Sequence, residues 1–376
     1  MSLDGIAILG AGIFAKEAHL PALAALGSAA PKLRAVYSRS EKSAHDLADA
    51  AVAALNLNEA PNIYHDGDQS TDLNALLARP DITAVIIALP ITLQPEIVLI
   101  SLAAGKHVLS EKPVAPDVKQ GLALIKKYNS LYKGRGLIWR VAENFEAEPG
   151  FRAAGAAIAA GKIGKTIFFK STVVNYIDKE SKWYKTPWRT VPDYQGGFLL
   201  DGGVHTVAAL RVMLPEQLTH LSGFASLNKD YLKPHDTINT VVRAGSHFHG
   251  TVEMTFASPT KTRPVSDGFV ITGTDGWISV NQVSVAGSTA PALRVLIKSV
   301  VKTEGKPEEE KEEIIEEPMK GVEAEFKSFF DKISGKSDGT DIGDPLAALR
   351  DVAFIQAALN SEGSLVDLID LVPDSP

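Results

Sequence analysis

The stretch Gly5-Ile6-Ala7-Ile8-Leu9-Gly10-Ala11-Gly12-Ile13-Phe14-Ala15 decides how the rest of the chain is read. Gly5–Leu9 is a short apolar run of strand length, and it enters a G-x-G-x-x-A turn that opens a helix-forming segment. Each small residue has a physical task there. Gly10 permits a tight turn, Gly12 lets the backbone approach a pyrophosphate, and Ala15 allows close packing of helix on strand. Ile13 and Phe14 begin the helix, whose free N–H groups and positive dipole end suit phosphate oxygens. The spacing predicts a dinucleotide-binding turn that uses Gly10, Gly12, Ile13 and Phe14.

Outward from that turn, strands are expected at Leu33–Ser38, Ile63–His65, Ala84–Ala88, His107–Ser110 and Gly136–Ala142. Between them lie helical patterns at Glu41–Leu55, Leu73–Ala78, Glu96–Ala104 and Lys119–Tyr128. Strands separated by helices imply right-handed crossovers and a parallel sheet. Residues 1–142 are therefore expected to form an α/β domain, a doubly wound Rossmann sheet that binds NAD(P). After the helix Phe151–Ala160 the pattern changes to strands at Thr166–Asn175, Leu218–Ser226, Thr237–Ala244, Phe248–Phe256, Gly268–Thr274, Trp277–Val280 and Arg294–Ser299. Few helices interrupt them: Gly203–Met213, then Gly321–Ile333 and Pro345–Asn360 at the tail. Residues 143–376 read as an α+β domain with a large open mixed or antiparallel sheet. The charge-rich segment Glu304–Glu317 is expected to be a solvated hairpin edge or a mobile loop.

Composition narrows the function. The 376 residues carry 38 Lys+Arg against 45 Asp+Glu, a net charge of −7, which disfavours a general nucleic-acid binder. There is no cysteine, so thiolate zinc sites, Fe–S clusters and a Cys nucleophile are excluded. No basic leader precedes the first strand, and the longest apolar runs are far shorter than a membrane span. A soluble cytoplasmic protein is expected. His247 and His249 are expected to alternate along one strand, but no third ligand accompanies them, and no metal site is predicted.

The end of the second strand bears on cofactor choice. Val36-Tyr37-Ser38-Arg39-Ser40-Glu41 has no carboxylate at the strand end, where an acid would hold a ribose 2′-hydroxyl. Ser38, Arg39 and Ser40 instead offer hydroxyls and a guanidinium suited to a 2′-phosphate, which favours NADP, with NAD possible. The other reading makes Arg39 an ordinary surface charge and gives the ribose to Glu41.

Ala104-Gly105-Lys106-His107-Val108-Leu109-Ser110-Glu111-Lys112-Pro113 places Glu-Lys-Pro at the carboxyl end of a parallel strand, where ligands bind in such sheets. A lysine there can polarise an oxygen or move a proton. With the glycine turn and His19-Leu20-Pro21-Ala22-Leu23, this stretch makes the chain resemble the glucose–fructose oxidoreductase / inositol 2-dehydrogenase / rhizopine-catabolism family of NAD(P)-dependent oxidoreductases. The resemblance implies a Rossmann domain followed by an open-sheet domain that holds a small-molecule substrate and often pairs two subunits as a homodimer. It sets Leu89, Pro90, Glu111 and Lys112 beside the cofactor. The sequence departs from the family at Ala88–Gln94, where Pro90 is kept but Leu89, Ile91 and Gln94 replace the usual Thr-Pro-Asn neighbours and a later His.

The second signature is Gly196-Gly197-Phe198-Leu199-Leu200-Asp201-Gly202-Gly203-Val204-His205. With a helix starting near Gly203, Asp201 sits at its cap and His205 in its first turn, and the flanking glycines leave room for a ligand. Alone, the pair also fits a helix cap and a satisfied polar side chain. The resemblance makes Asp201 and His205 complete a catalytic site with Lys112, and it puts Trp188 and Arg189 near cofactor or substrate. Asn144, after the last Rossmann strand, is expected to hydrogen-bond a polyol hydroxyl. The expected activity is NADP-dependent hydride transfer to or from a sugar, polyol or related small carbonyl or hydroxyl compound. The rivals are a non-catalytic NADP-binding regulator resembling galactose-regulon repressors and a glycosidase that uses NAD transiently.

Overall fold

The computed structural model describes residues 3–285, 291–301, 307–336 and 341–374. They form two units, one with the chain up to Asn144 plus Val322–Leu349, the other with Phe145–Gly321 plus the chain from Arg350.

In the first unit, β1 (Gly5–Leu9), β2 (Lys32–Tyr37), β3 (Asn62–Tyr64), β4 (Ala84–Ile87), β5 (His107–Glu111) and β6 (Trp139–Ala142) make one sheet in the order β3-β2-β1-β4-β5-β6. Every pairing is parallel. The order reverses between β1 and β4, and at that switch point the crossovers diverge and leave a crevice at the strands' carboxyl ends. β1 and β4 are buried along their whole length, as continuous apolar strands covered on both faces must be.

The core of this unit also draws on residues far along the chain. Phe326, Phe329, Phe330 and Ile333 from the helix Gly321–Ile333 pack with Ile6, Ile8, Leu20 and Leu23. Beyond that helix, Arg140 of β6 pairs with Asp341 at 2.6 Å, and the Val141 N–H donates to the Gly343 carbonyl. A single division at 142/143 assigns this stretch to the second domain; by packing it lies with the first.

The second unit is built on nine strands. They are β7 (Thr166–Val174), β8 (Leu218–Ser226), β9 (Thr237–Ala244), β10 (Phe248–Thr255), β11 (Gly268–Gly273), β12 (Gly276–Val283), β13 (Ala292–Val301), β14 (Glu309–Pro318) and β15 (Val366–Asp367). Their order is β14-β13-β12-β11-β7-β10-β9-β8-β15. Only β7 and β10 pair in parallel, so the sheet is mixed. Alternation along β9 and β10 sends Val242, Val252 and Met254 inward and Val241, Arg243 and His249 outward.

The acidic segment forms strand β14 at the sheet edge over Glu309–Glu317, bound to β13 by Arg294–Glu316 and Lys298–Glu312 pairs, each 2.7 Å long. Residues 304–306 lie outside the described residues. Charge on an edge strand discourages pairing with foreign strands. His247 falls in the hairpin turn rather than in a strand, and among the described residues no cluster of metal-ligating side chains occurs. No helix among them is long and apolar enough to cross a membrane.

Candidate functional site

The glycine turn has the conformation its residues require. Gly10 adopts φ +116°, and its N–H donates to the Tyr37 carbonyl at 2.8 Å. A Cβ at this position would lie 2.2 Å from the Ala88 carbonyl oxygen at the end of β4, so only glycine fits between the two strand ends. Gly12 has a different role. A Cβ there would meet nothing within 4 Å, so packing does not demand glycine, and the side chain it lacks would project into the open space above the turn. That is the space a pyrophosphate needs, and the residues present fit a dinucleotide. Ala15 is fully buried, while Ile13 and Phe14 are half-buried. The helix contains a π turn over Ala15–His19, closed by the Leu20 N–H on the Ala15 carbonyl.

At the end of β2, the Ser38 N–H donates to the Tyr64 carbonyl, and Ser40 caps the helix Glu41–Leu55. The Ser40 hydroxyl is engaged at both ends: it accepts from the Ser43 N–H at 3.2 Å and donates to Ser43 Oγ at 2.8 Å. Arg39 is exposed, and Glu41 faces His45 one turn on at 3.9 Å. Tyr37 Oη donates to Asp66 Oδ1 at 2.7 Å; burial and that carboxylate both push the phenol's pKa up.

β5 delivers the Glu-Lys-Pro segment. Ser110 Oγ accepts from Trp139 Nε1 at 3.0 Å, Glu111 pairs in register with Ala142, and Lys112 follows half-buried, joined to Pro113 by a cis peptide bond. The carboxylate of Glu111 bonds to His19 Nε2 at 2.7 Å. Glu111 thus has a protein partner, which its position in the motif did not reveal. Leu89 and Pro90 are half-buried after β4, and Leu89 Cδ2 lies 3.2 Å from the Cβ position of Gly10. Asn144 opens the short helix Asn144–Ala147 and is half-buried.

In the second unit, the helix bearing Asp201 and His205 runs Phe198–Met213, five residues longer at its start than expected. Asp201 is therefore inside the first turn and not at the cap, and His205 lies one turn further on the same face. The expectation that Gly202 and Gly203 leave ligand space is corrected too. A Cβ at 202 would stand 2.7 Å from the Phe256 ring, and one at 203 would stand 3.0 Å from Ile355 Cδ1. These glycines let the helix sink onto the sheet.

Asp201 is buried, and Arg189 Nε donates to its Oδ2 at 2.7 Å. The Arg189 guanidinium lies 4.0 Å from the Trp188 ring centre and 5.2 Å from that of Trp183, two cation–π contacts that steady the donor. Sequence reading expected Trp188 and Arg189 near cofactor or substrate; the structure brings Arg189 to Asp201 and sets the Trp188 ring against the Arg189 guanidinium. Burial and the Asp201 charge raise the pKa of neighbouring Tyr194. His205 stacks on Phe145 with ring centres 4.7 Å apart. Six residues on, half-buried Arg211 bonds both Asp351 (3.0 Å) and Glu146 (3.2 Å), a triad sequence reasoning missed because its members are scattered along the chain.

A profile described as the oxidoreductase family with NAD-binding Rossmann fold matches residues 5–133, and one for the GFO/IDH/MocA C-terminal domain matches residues 151–279. The chain belongs to the GFO/IDH/MocA oxidoreductase family. It is 39% identical to dehydrogenase FPY6 of Fusarium mangiferae over 95% of this chain and 96% of that protein. It is 27% identical to levoglucosan dehydrogenase of Pseudarthrobacter phenanthrenivorans over 59% of this chain and 61% of that one. A crystal structure of an oxidoreductase from Thermotoga maritima superposes with a TM-score of 0.81 at 27% identity, covering 98% of this chain and all of its own. As a GFO/IDH/MocA member, the protein is an NAD(P)-binding oxidoreductase acting on CH–OH or carbonyl groups.

Proposed function

We propose that this GFO/IDH/MocA protein is an NADP-dependent oxidoreductase for a sugar, polyol or related small carbonyl or hydroxyl compound. The observation that carries the cofactor choice is the end of β2, where exposed Arg39 stands beside a capped helix start, with serines and no carboxylate at the strand end. The substrate class draws on family membership and on relatives such as levoglucosan dehydrogenase, named for a sugar derivative.

When bound, the nicotinamide supplies or takes the hydride. Lys112 Nζ polarises the substrate oxygen, and His205 gives or takes its proton. Asp201, held by Arg189, orients His205 or the substrate, and Asn144 bonds a second hydroxyl. The glycine turn Gly10–Phe14 holds the pyrophosphate. Phe224, Val241, Trp277, Val270 and Phe168 are all exposed on the outer face of the large sheet. A second copy of the chain is the proposed cover for that apolar face. A reducing, cytoplasmic location suits a cysteine-free chain. The regulatory reading draws nothing from relatives named as dehydrogenases.

The test is fluorescence titration with NADPH and NADH, followed by a screen of sugars and small carbonyls for NADPH oxidation. NADPH is expected to bind more tightly, and Arg39→Asp should weaken it about 10- to 100-fold, roughly the 1.5–3 kcal/mol of a charge-assisted contact, with little change for NADH. Preference for NADH, or indifference to Arg39→Asp, refutes the cofactor assignment. With a substrate in hand, Lys112→Met and His205→Ala should each lower turnover by about 10²–10⁴-fold; full activity in both refutes the catalytic assignment.

A further inference from the structure

His19 is fully buried, yet it is a polar residue in the first helix, five positions after Phe14. Four observations meet at its ring. Its Nε2 lies 2.7 Å from Glu111 Oε1. Phe14 meets the ring edge-on at 5.1 Å, and Phe326, from the helix Gly321–Ile333, lies 5.1 Å away at another side. Nδ1 is buried and has no hydrogen-bond partner among the described residues. A hydrogen on Nδ1 would be buried without an acceptor, so the ring hydrogen sits on Nε2 and is donated to Glu111. The residue also ends the π turn Ala15–His19. A π turn inserts one residue into the helical repeat and re-aims the side chains beyond it, a device common at functional sites.

A buried carboxylate is costly unless bonded, so Glu111 is tied to wherever His19 stands. Lys112 is the next residue, and a shift of Glu111 by a fraction of an ångström carries the lysine with it. We propose that His19 is a positioning residue for Lys112: through its bond to Glu111 it fixes the lysine relative to the helix that begins at the dinucleotide turn. The proposal rests on the reading of Lys112 as the group that polarises substrate oxygen. It gives the aromatic contact with Phe14 a purpose, because the ring packed against the turn is also the ring that holds the lysine's neighbour.

The experiment reads Lys112 itself, and the arm that decides the positioning needs no substrate. Lysines of the whole protein are reductively methylated with ¹³C, and the Lys112 resonance is assigned by its loss in Lys112→Arg. His19→Leu alone strands a buried carboxylate, so the informative variant is His19→Leu combined with Glu111→Gln, which removes the bond without leaving a charge. In that variant the Lys112 resonance of the protein without NADPH is expected to move by several line-widths, or to broaden. His19→Gln, whose amide N–H reaches as far as Nε2, should restore the parent resonance. A melting temperature that falls while the Lys112 resonance stays at its parent position overturns the proposal and leaves His19 a packing residue. A resonance that moves in a protein whose Lys112→Met variant keeps full turnover leaves the positioning intact and removes the chemical role of Lys112.

Discussion

Phe145 stacks on His205 with ring centres 4.7 Å apart and planes 24° from parallel. The stack is anchored from outside. Phe145 precedes Glu146, whose carboxylate is held at 3.2 Å by Arg211 of the helix that carries His205, and Asp351 holds the same guanidinium from the helix Pro345–Asn360. Arg211 has its pKa raised: desolvation works against its charge, and the two carboxylates outweigh it. The orientation of the imidazole is thereby set by packing and by an ion-pair triad rather than by its own helix alone.

Two substitutions separate those contributions. Phe145→Ala should lower kcat by about tenfold through loss of a positioned ring, with NADPH affinity unchanged by fluorescence titration. Arg211→Met should cost about 3–5 kcal/mol in denaturant unfolding, because it removes the guanidinium that faces two buried carboxylates. Unchanged kcat in Phe145→Ala means that the stack does not govern His205.

The Arg189–Asp201 bond is largely shielded from water, with side chains 13% and 9% exposed. Arg189→Leu should destabilise the fold by about 3–5 kcal/mol, and combining it with Asp201→Asn should return part of that loss. The double-mutant cycle is expected to give a coupling of at least about 1 kcal/mol. Additive effects mean that the two groups do not depend on each other. Arg189→Lys keeps the charge but loses the planar guanidinium that lies over Trp188, and it should recover less than half of the stability.

His107 gives a pH dependence. Its pKa is lowered, chiefly by burial, and its Nδ1 accepts the Ile138 N–H at 3.0 Å. The native state therefore binds fewer protons than the unfolded chain as pH falls below the ordinary histidine value near 6.5, and stability rises with pH in that range. The contribution is present above that value and is lost as pH drops through the native one. His107→Asn keeps an acceptor for Ile138 without a titrating ring. Melting temperature should fall more steeply between pH 7 and 5 in the parent than in this variant, and equal slopes count against the assignment.

How much of the molecule was legible in the sequence depends on how local each signal is. The glycine turn, the buried strands and the helices Glu41–Leu55, Gly321–Ile333 and Pro345–Asn360 rest on patterns within one element, and the structure matches these helix limits. The start of the Asp201 helix was misplaced because Gly202 and Gly203 look like breakers; their purpose, contact with Phe256 and Ile355, lies in distant strands and helices. β14 has Glu and Lys where strands favour branched and aromatic residues, so the sequence leaves it between a hairpin edge and a loop, and its pairing with β13 decides for the edge. His19 stood in a recognisable motif, yet its partner Glu111 is 92 residues away, and no spacing rule joins them.

Sequence distance also makes the composition of the first unit testable. Phe326 is completely buried among Ile6, Ile8 and the first helix, although about 180 residues, all of them after Asn144, separate it from the rest of that unit. Phe326→Ala opens a cavity beside the ring of His19 as well as removing apolar contact, and should cost about 3–5 kcal/mol. The loss should appear in the dinucleotide-binding unit: NADPH is expected to raise the melting temperature of the variant by at least as much as that of the parent, because ligand stabilises whichever native unit holds it. Calorimetry with and without NADPH checks this. A destabilised transition that does not respond to NADPH, beside a parent-like one that does, means that Phe326 supports the other unit.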